Sequence, residues 1–488
     1  MKKYLLISTV FLVAFAGSAR AIDTLSFDKA VWLVTRQSPE MVQARMTLAQ
    51  SQAVYDAAVA AQKLSVTLSL SPISYTNDLQ LSPNDFWDTT RNIKSSGQLQ
   101  LSQPVLFTGG TLALSGDMGW NDLYTSYSRA GESRSFDYHT SISYSQPLLI
   151  YNQLKTNLRQ QELTLQNNQL TYAMQELAIE ASIASDYYGL YQDQMNFYIA
   201  QESYQSAKQS YEITEVGVAS GKQAKSDLYQ ASVTLTQNES TMKNQEITWQ
   251  NAAEALKQRL GLPLDTALSL TIDTTASATT IDLQKAVANG LRQRMELRQE
   301  AITIENARFA LTQARSNGLF NGNLNVSYGL VGASPAVNTL FRDPAKNMSA
   351  ALTLQVPLWD FGSNRATVKA SAIALRQDEL LLDNEKTTIV LSIRKEYRSI
   401  QNLQEQIELA RQTLKSAALT YDVNLEKYKL GGLSAMDLNQ YQIQLSQAKT
   451  GLVSALVNYQ IELLNMKVQS LWDYRTDQPV LPDLKPKE

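Results

Sequence analysis

Side chains able to do chemistry are scarce in this 488-residue chain, and the most suggestive of them lie in a segment that occurs twice. Cysteine is absent, which removes disulfides, thiolate metal sites and a lipid-accepting thiol at a processed N-terminus. The single histidine, His139, falls in alternating sequence and reads as a polar strand residue facing water. Nothing resembles a nucleophile–base pair, a phosphate loop or a metal cluster. The sequence therefore predicts no enzyme and no cofactor. What remains is an aspartate at the same place in each copy. One copy runs from Tyr211 through Gly221 to Asp227 and Leu228, the other from Tyr421 through Gly431 to Asp437 and Leu438. The register is gapless and continues through Val233/Ile443, Leu235/Leu445 and Gln237/Gln447. Each glycine permits a tight turn. Each aspartate is placed to act as the N-cap of the helix that follows.

A duplicated helix–turn–helix implies two equivalent halves, and hence a conduit more than a catalytic site. The elements that would carry it are long. Helical patterns run from about Leu148 to Val216 and from about Ser363 to Leu430. In the second, Ile393, Tyr397, Ile400, Ile407, Leu414 and Tyr421 keep a 3–4 spacing, with Gln404 and Arg411 in polar gaps. A sustained repeat of that kind predicts left-handed coiled-coil packing. At 1.5 Å per residue each such helix spans on the order of 100 Å. Shorter helices are expected at about 26–62, 222–260, 280–316 and 433–472.

Between helices the pattern changes to strict alternation, at 64–75, 95–105, 110–119 and 136–146 in the first half and in two runs within 322–357 of the second. One face carries Ser, Thr, Asn and Gln, the other Leu, Val, Ile, Met and Tyr. Aromatics such as Phe86, Trp87, Trp120 and Trp359 lie near the strand ends. This pattern fits an outer-membrane barrel, with lipid outside and a wet lumen inside, and also a soluble sheet with one wet face. Pro104, Pro147 and Pro357 belong at strand ends or exit bends, because proline gives no ladder hydrogen bond.

Residues 1–21 read as a secretory signal peptide cleaved after Ala21: Lys2 and Lys3, an apolar run, then Ala19-Arg20-Ala21. Of the 43 basic residues three lie there, leaving 40 against 46 acids, which gives no reason to expect nucleic acid. No later apolar run is long enough for a membrane helix, so a membrane crossing would have to be a closed barrel. The expected organisation is a first repeat at 22–263 (strands 64–146, helical hairpin 148–262) and a linker at 264–280. A second repeat follows at 281–474 (strands 322–357, hairpin 363–472), then a tail at 475–488. The fold class is an α+β membrane protein of long antiparallel helical hairpins and barrel strands.

Several words in this frame resemble the TolC family of outer membrane efflux proteins. Leu25-Ser-Phe-Asp-Lys-Ala30 followed by Ser38-Pro39-Glu40 is similar to the family's first-helix opening, and Arg294-Met-Glu-Leu297 to its Arg-Pro-Glu-Leu. Val356-Pro-Leu-Trp-Asp-Phe-Gly362 resembles its strand exit, and Tyr428 with Gly431, Ser434, Asp437 and Leu438 resembles its second tip. The resemblance implies a homotrimer sharing one barrel among outer membrane lipid, with a helical tunnel through the periplasm. A periplasmic adaptor protein and an inner-membrane pump would dock at the tunnel's lower end, at tips turned by Gly221 and Gly431. It also implies a gate. Asp437 falls on a ring aspartate, Tyr428 on the gate tyrosine, and Ser226 and Asp227 on its polar partners. The family's gate arginine is replaced by Leu433, and a second ring position by Gln440. Contacts of Tyr428 with Asp227 and packing around Leu433 are expected in their place. One departure is that the family has two strands per half, whereas the first half here offers four. The expected function is a passive export duct for small molecules or polypeptides, in tripartite efflux or type I secretion. An adhesive or structural coiled-coil protein of the envelope is the alternative.

Overall fold

The computed structural model describes residues 22–81, 87–126, 132–148, 151–271 and 279–480. The proposed signal peptide, Phe86, the middle of the linker (272–278) and the end of the tail lie outside them. In chain order the elements are β1 (Ile22–Leu25), α1 (Phe27–Gln37), α2 (Pro39–Ala60), β2 (Ser65–Leu81), β3 (Trp87–Val105), β4 (Gly110–Thr125), β5 (Glu132–Leu148), α3 (Gln153–Ala219) and α4 (Lys225–Leu260). There follow β6 (Leu268–Leu270), α5 (Leu283–Gln293), α6 (Met295–Asn317), β7 (Asn321–Ser334), β8 (Ala345–Gln355), α7 (Ser363–Lys429), α8 (Ala435–Ser470), β9 (Trp472–Asp473) and β10 (Gln478–Pro479). These residues fall into two compact units. One holds the residues up to 46 with 171–295 and 385 onward, the other 47–170 and 296–384.

The second unit contains one six-stranded antiparallel sheet in the order β2-β3-β4-β5-β7-β8. Its alternation sets one apolar and one hydroxyl-rich face. On the latter, Ser115 Oγ lies 2.9 Å from Ser141 Oγ and Ser327 Oγ 2.8 Å from Ser349 Oγ. His139 lies on this face too, its Nδ1 3.3 Å from Asp117 Oδ1. Pro104 and Pro147 sit one residue from the ends of β3 and β5, where a missing donor costs least. The strands are longer than the alternating runs predicted. Trp87–Lys94, Asn121–Thr125 and Glu132–Ser135 extend the ladder with charged residues, among them Arg134 on Asp122 at 3.1 Å and Arg91 on Glu132 at 3.6 Å. Where the sheet gives way to helix, Asn152 caps α3. Its Oδ1 accepts from Lys155 N–H at 3.0 Å, and its Nδ2 donates to Leu106 O in the β3–β4 turn at 2.6 Å.

The first unit is helical, with two small strand pairs. β1 lies parallel to β6, and the buried Tyr187 hydroxyl bridges them through Leu25 O at 2.7 Å and Thr271 O at 2.8 Å. Ile389, Ile393, Ile400 and Ile407 form the buried seam of α7, the 3–4 spacing expected of a packed helix. Gln404, one of the polar gaps, donates to the Tyr459 hydroxyl at 3.2 Å. Two expected helices are broken. The 26–62 segment divides at Ser38, whose extended backbone (ψ 143°) is what a residue before proline prefers. The 280–316 segment divides at Arg294 (ψ 129°) although Met295 replaces proline. There the Arg294 guanidinium bonds Gln469 Oε1 at 2.5 Å, and Met295 is buried. Among the described residues no helix is long and apolar enough to cross a membrane.

Candidate functional site

Both duplicated segments form helix–turn–helix tips in the first unit. The long helices α3 and α7 each have 67 residues, and the returning helices α4 and α8 each have 36. Gln153 and Ser363 open the long pair and Lys225 and Ala435 the short pair, an offset of 210 residues in both cases. Two bonds of the turn recur in both tips. Gly221 N–H donates to Val218 O at 3.0 Å and Lys222 N–H to Gly217 O at 2.8 Å. In the other tip Gly431 N–H donates to Tyr428 O at 2.9 Å and Gly432 N–H to Lys427 O at 2.9 Å. This is a Schellman stop, which requires a left-handed residue just past the helix. Gly221 (φ +75°) and Gly431 (φ +79°) supply it.

The aspartates do not occupy the cap positions expected of them. The residues at the caps are Ala224 and Ser434, and Asp227 and Asp437 stand three residues inside the helices. Asp227 Oδ2 accepts from Ala224 N–H at 3.3 Å. Ser434 Oγ accepts from Asp437 N–H at 3.2 Å and donates to Asp437 Oδ2 at 2.7 Å. A carboxylate in the first turn also meets the positive end of the helix dipole. Asp437 and Ser226 are exposed, Asp227 and Leu433 half-buried.

Tyr428 is the buried member of the set, at 1% exposure. Its hydroxyl lies 2.5 Å from Thr214 Oγ1 and donates to Ser210 O at 3.2 Å, both on α3. Both hydrogen bonds of the hydroxyl go to this pair, and Asp227 acts on it through its charge. Burial pushes the Tyr428 pKa up, the Thr214 hydrogen bond opposes that, and the Asp227 charge adds to it. Thr214 itself is fully buried and bonds Ser210 O at 2.7 Å. Its counterpart 210 residues on, Asn424, makes the same bond to Thr420 O at 2.8 Å. The sequence held that signal, since two polar residues occupy one position of a repeat. Further along α3 and α8, Ser203 lies 2.8 Å from Ser446 and Lys449 donates to Glu202 at 2.5 Å, so polar contacts tie these helices together.

Side chains at the turns are largely free of packing. Leu430 (88% exposed), Met436 and Val216 stand out to solvent around the two glycines. Among the described residues no group of acids and histidine is arranged to hold a metal.

Comparison with known proteins accounts for this arrangement. A family model described as outer membrane efflux protein matches residues 111–262 and 286–468. No protein of curated function matches the sequence. Among solved structures, the Campylobacter jejuni CmeC outer membrane channel is similar at TM-score 0.70 and 15% identity, covering 94% of this chain and 87% of that one. The outer membrane protein VceC of Vibrio cholerae is similar at 0.66 and 14%, covering 91% and 95%. CusC, whose structures describe transmembrane channel formation, is similar at 0.68 and 14%, covering 93% and 95%. At such identities these likenesses show a shared fold.

Proposed function

This chain belongs to the outer membrane efflux protein family, and on that premise we propose that three copies form a passive export duct. Their sheets join in one barrel in the outer membrane, and their helical hairpins extend into the periplasm as a tunnel. The observation that carries the reading is the matched pair of hairpins. Two 67-residue helices, each on the order of 100 Å, and two 36-residue helices end at identical turns. A chain that needed only a pore through a membrane has no use for them. In this reading 22–263 and 281–474 are the two repeats, 264–280 and 475–488 lie against the middle of the tunnel, and the precursor is cleaved after Ala21.

The tips are the periplasmic mouth. Tyr428 locks α7 to α3, with Ser226, Asp227 and Leu433 around it, and Asp437 carboxylates from three copies ring the axis, favouring cations. The turns at Gly221 and Gly431, with exposed Leu430 and Met436, receive a periplasmic adaptor, and an inner-membrane pump supplies the energy. Such a duct serves tripartite efflux or type I secretion. Electron microscopy of the detergent-purified protein tests the reading. A threefold particle with an axial channel is expected; a solid rod or a short disc overturns it.

A further inference from the structure

Among the described residues the sheet has two free edges. β2 presents 17 residues at one side and β8 presents 11 at the other, and every side chain described in these two strands is exposed. Long unpaired edges invite pairing in water, and within lipid an unpaired backbone is not tolerated. Six is an even number, so in an antiparallel meander β2 and β8 run in opposite directions. The β8 edge of one copy can therefore take the β2 edge of another as an ordinary antiparallel neighbour.

The faces agree as well. Cross-strand pairing makes an apolar row through all six strands: Val66, Leu101, Leu114, Ile142, Tyr328 and Met348. Beside it runs a small polar row on the other face, from Ser65 through Ser102, Ala113, Ser143 and Ser327 to Ser349. The first hairpin thus shares the apolar band and the polar face of the other four strands. A hairpin projecting beyond the membrane would have no need of that band. Nor is β4 free to serve as an edge, because β3 covers it through sixteen consecutive pairs, from Thr90↔Thr125 to Val105↔Gly110.

We propose that β2 and β3 are part of the barrel wall, with β8 of one copy pairing β2 of the next, so that three copies close a barrel of 18 strands. This rests on the trimeric duct proposed above. The competing wall uses β4, β5, β7 and β8 alone and has 12 strands. Barrel diameter grows roughly in proportion to strand number, so the larger wall is about 1.5 times as wide, in the range that leaves an open aqueous channel. The added hairpin turns Ser65, Thr67, Ser69, Gln98, Gln100 and Ser102 to the lumen, all uncharged. The outer pore is thereby fitted to bulky, hydrated cargo.

The absence of cysteine makes the test direct. Thr67→Cys is combined in turn with Asn347→Cys, Ser349→Cys, Ala351→Cys and Thr353→Cys, and the protein is oxidised, then fully denatured. Within one copy the two edges are about five strand spacings, roughly 24 Å, apart, far beyond disulfide reach. Covalent trimers are expected from at least one pair, and none when Ser115→Cys on β4 replaces Thr67→Cys. Native mass spectrometry of the same samples counts copies independently. Trimers that cross-link through β4, or through no β2–β8 pair, overturn the 18-strand wall and leave the duct standing. A disulfide within one copy shows a sheet closed on itself and overturns the wall. Absence of trimers removes the duct reading and the wall with it.

Discussion

The two tips share one backbone and differ in their side chains. Residue for residue, the second tip has Tyr428 where the first has Val218, Leu433 for Gln223 and Ser434 for Ala224. The Schellman turns are the same within 0.1 Å in both bonds. Duplication therefore kept what the turn requires and reassigned the rest. The second tip inserts a ring, and the first receives it at Thr214 and Ser210. A structure built from equal halves acquires a lock only where the halves cease to be equal.

The largest effect should come from removing that asymmetry. Truncating a buried aromatic costs about 3–5 kcal/mol, so Tyr428→Ala should free the end of α7 from α3. Val218→Ala, at a half-buried position, should cost about 1 kcal/mol or less. Hydrogen exchange across residues 420–434 reads the first loss directly. In planar bilayers Tyr428→Ala should also raise conductance, and Val218→Ala should leave it unchanged. Equal behaviour of the two variants would mean that the tips are not divided into lock and receiver.

The glycines test the shared part. A side chain in the left-handed region costs about 1–2 kcal/mol, and an added Cβ at Gly221 or Gly431 meets nothing within 4 Å. Gly221→Val and Gly431→Val should therefore lower thermal stability by similar amounts. A larger loss at one of them would reveal surroundings that the single chain does not contain. The caps sharpen the comparison in the opposite sense. Ser434→Ala should cost about 1 kcal/mol, and Ala224→Ser should recover a comparable amount in the first tip. Exchange protection in the first turns of α8 and α4 would report both.

Much of this was legible because it is local. Alternation marked the sheet, and a glycine at a fixed distance from a leucine–aspartate pair marked each turn. What escaped depends on distant residues. Tyr428 finds its partner 214 positions away, and nothing near it in sequence says whether its hydroxyl turns to Asp227 or Thr214. The break at Arg294 has no proline to announce it and is accompanied by a bond to Gln469, 175 positions on. The charged ends of β3, β4 and β5 defeat an alternation test, because there the backbone ladder continues beneath charged side chains such as the paired Arg134 and Asp122.

The smallest effect lies further along the same hairpins. Asp186 of α3 and Glu396 of α7 are equivalent at the 210-residue offset, and so are Arg259 and Gln469. In the first half Arg259 neutralises Asp186. In the second that arginine is missing, and Glu396 faces Glu462 of α8. Burial, then the hydrogen bond and charge shared with Glu462, push Glu396 up to about 7 against an opposing pull from Lys395. Burial also works to raise Glu462, but the hydrogen bonds from Glu396, Asn465 and Ser399 outweigh it and hold this carboxyl below its usual value. The signs are opposite. Glu396 binds its proton more tightly folded than unfolded, so its contribution is full below its unfolded value of 4.5 and is lost as pH rises toward 7. Glu462 contributes above 4.5 and loses that as pH falls through its lowered folded value. Above pH 5 the Glu462 contribution is already complete, so a modest fall in melting temperature, due to Glu396, is expected between pH 5 and about 7. Glu396→Gln keeps the shape and the donor without the titration, so it should flatten that slope. Asp186→Asn should lower stability by a similar amount at every pH in the window, because it leaves Arg259 to the more distant Glu40 carboxylate at 3.7 Å without adding a group that titrates there. A slope that survives Glu396→Gln would place the titrating group elsewhere and remove this difference between the halves.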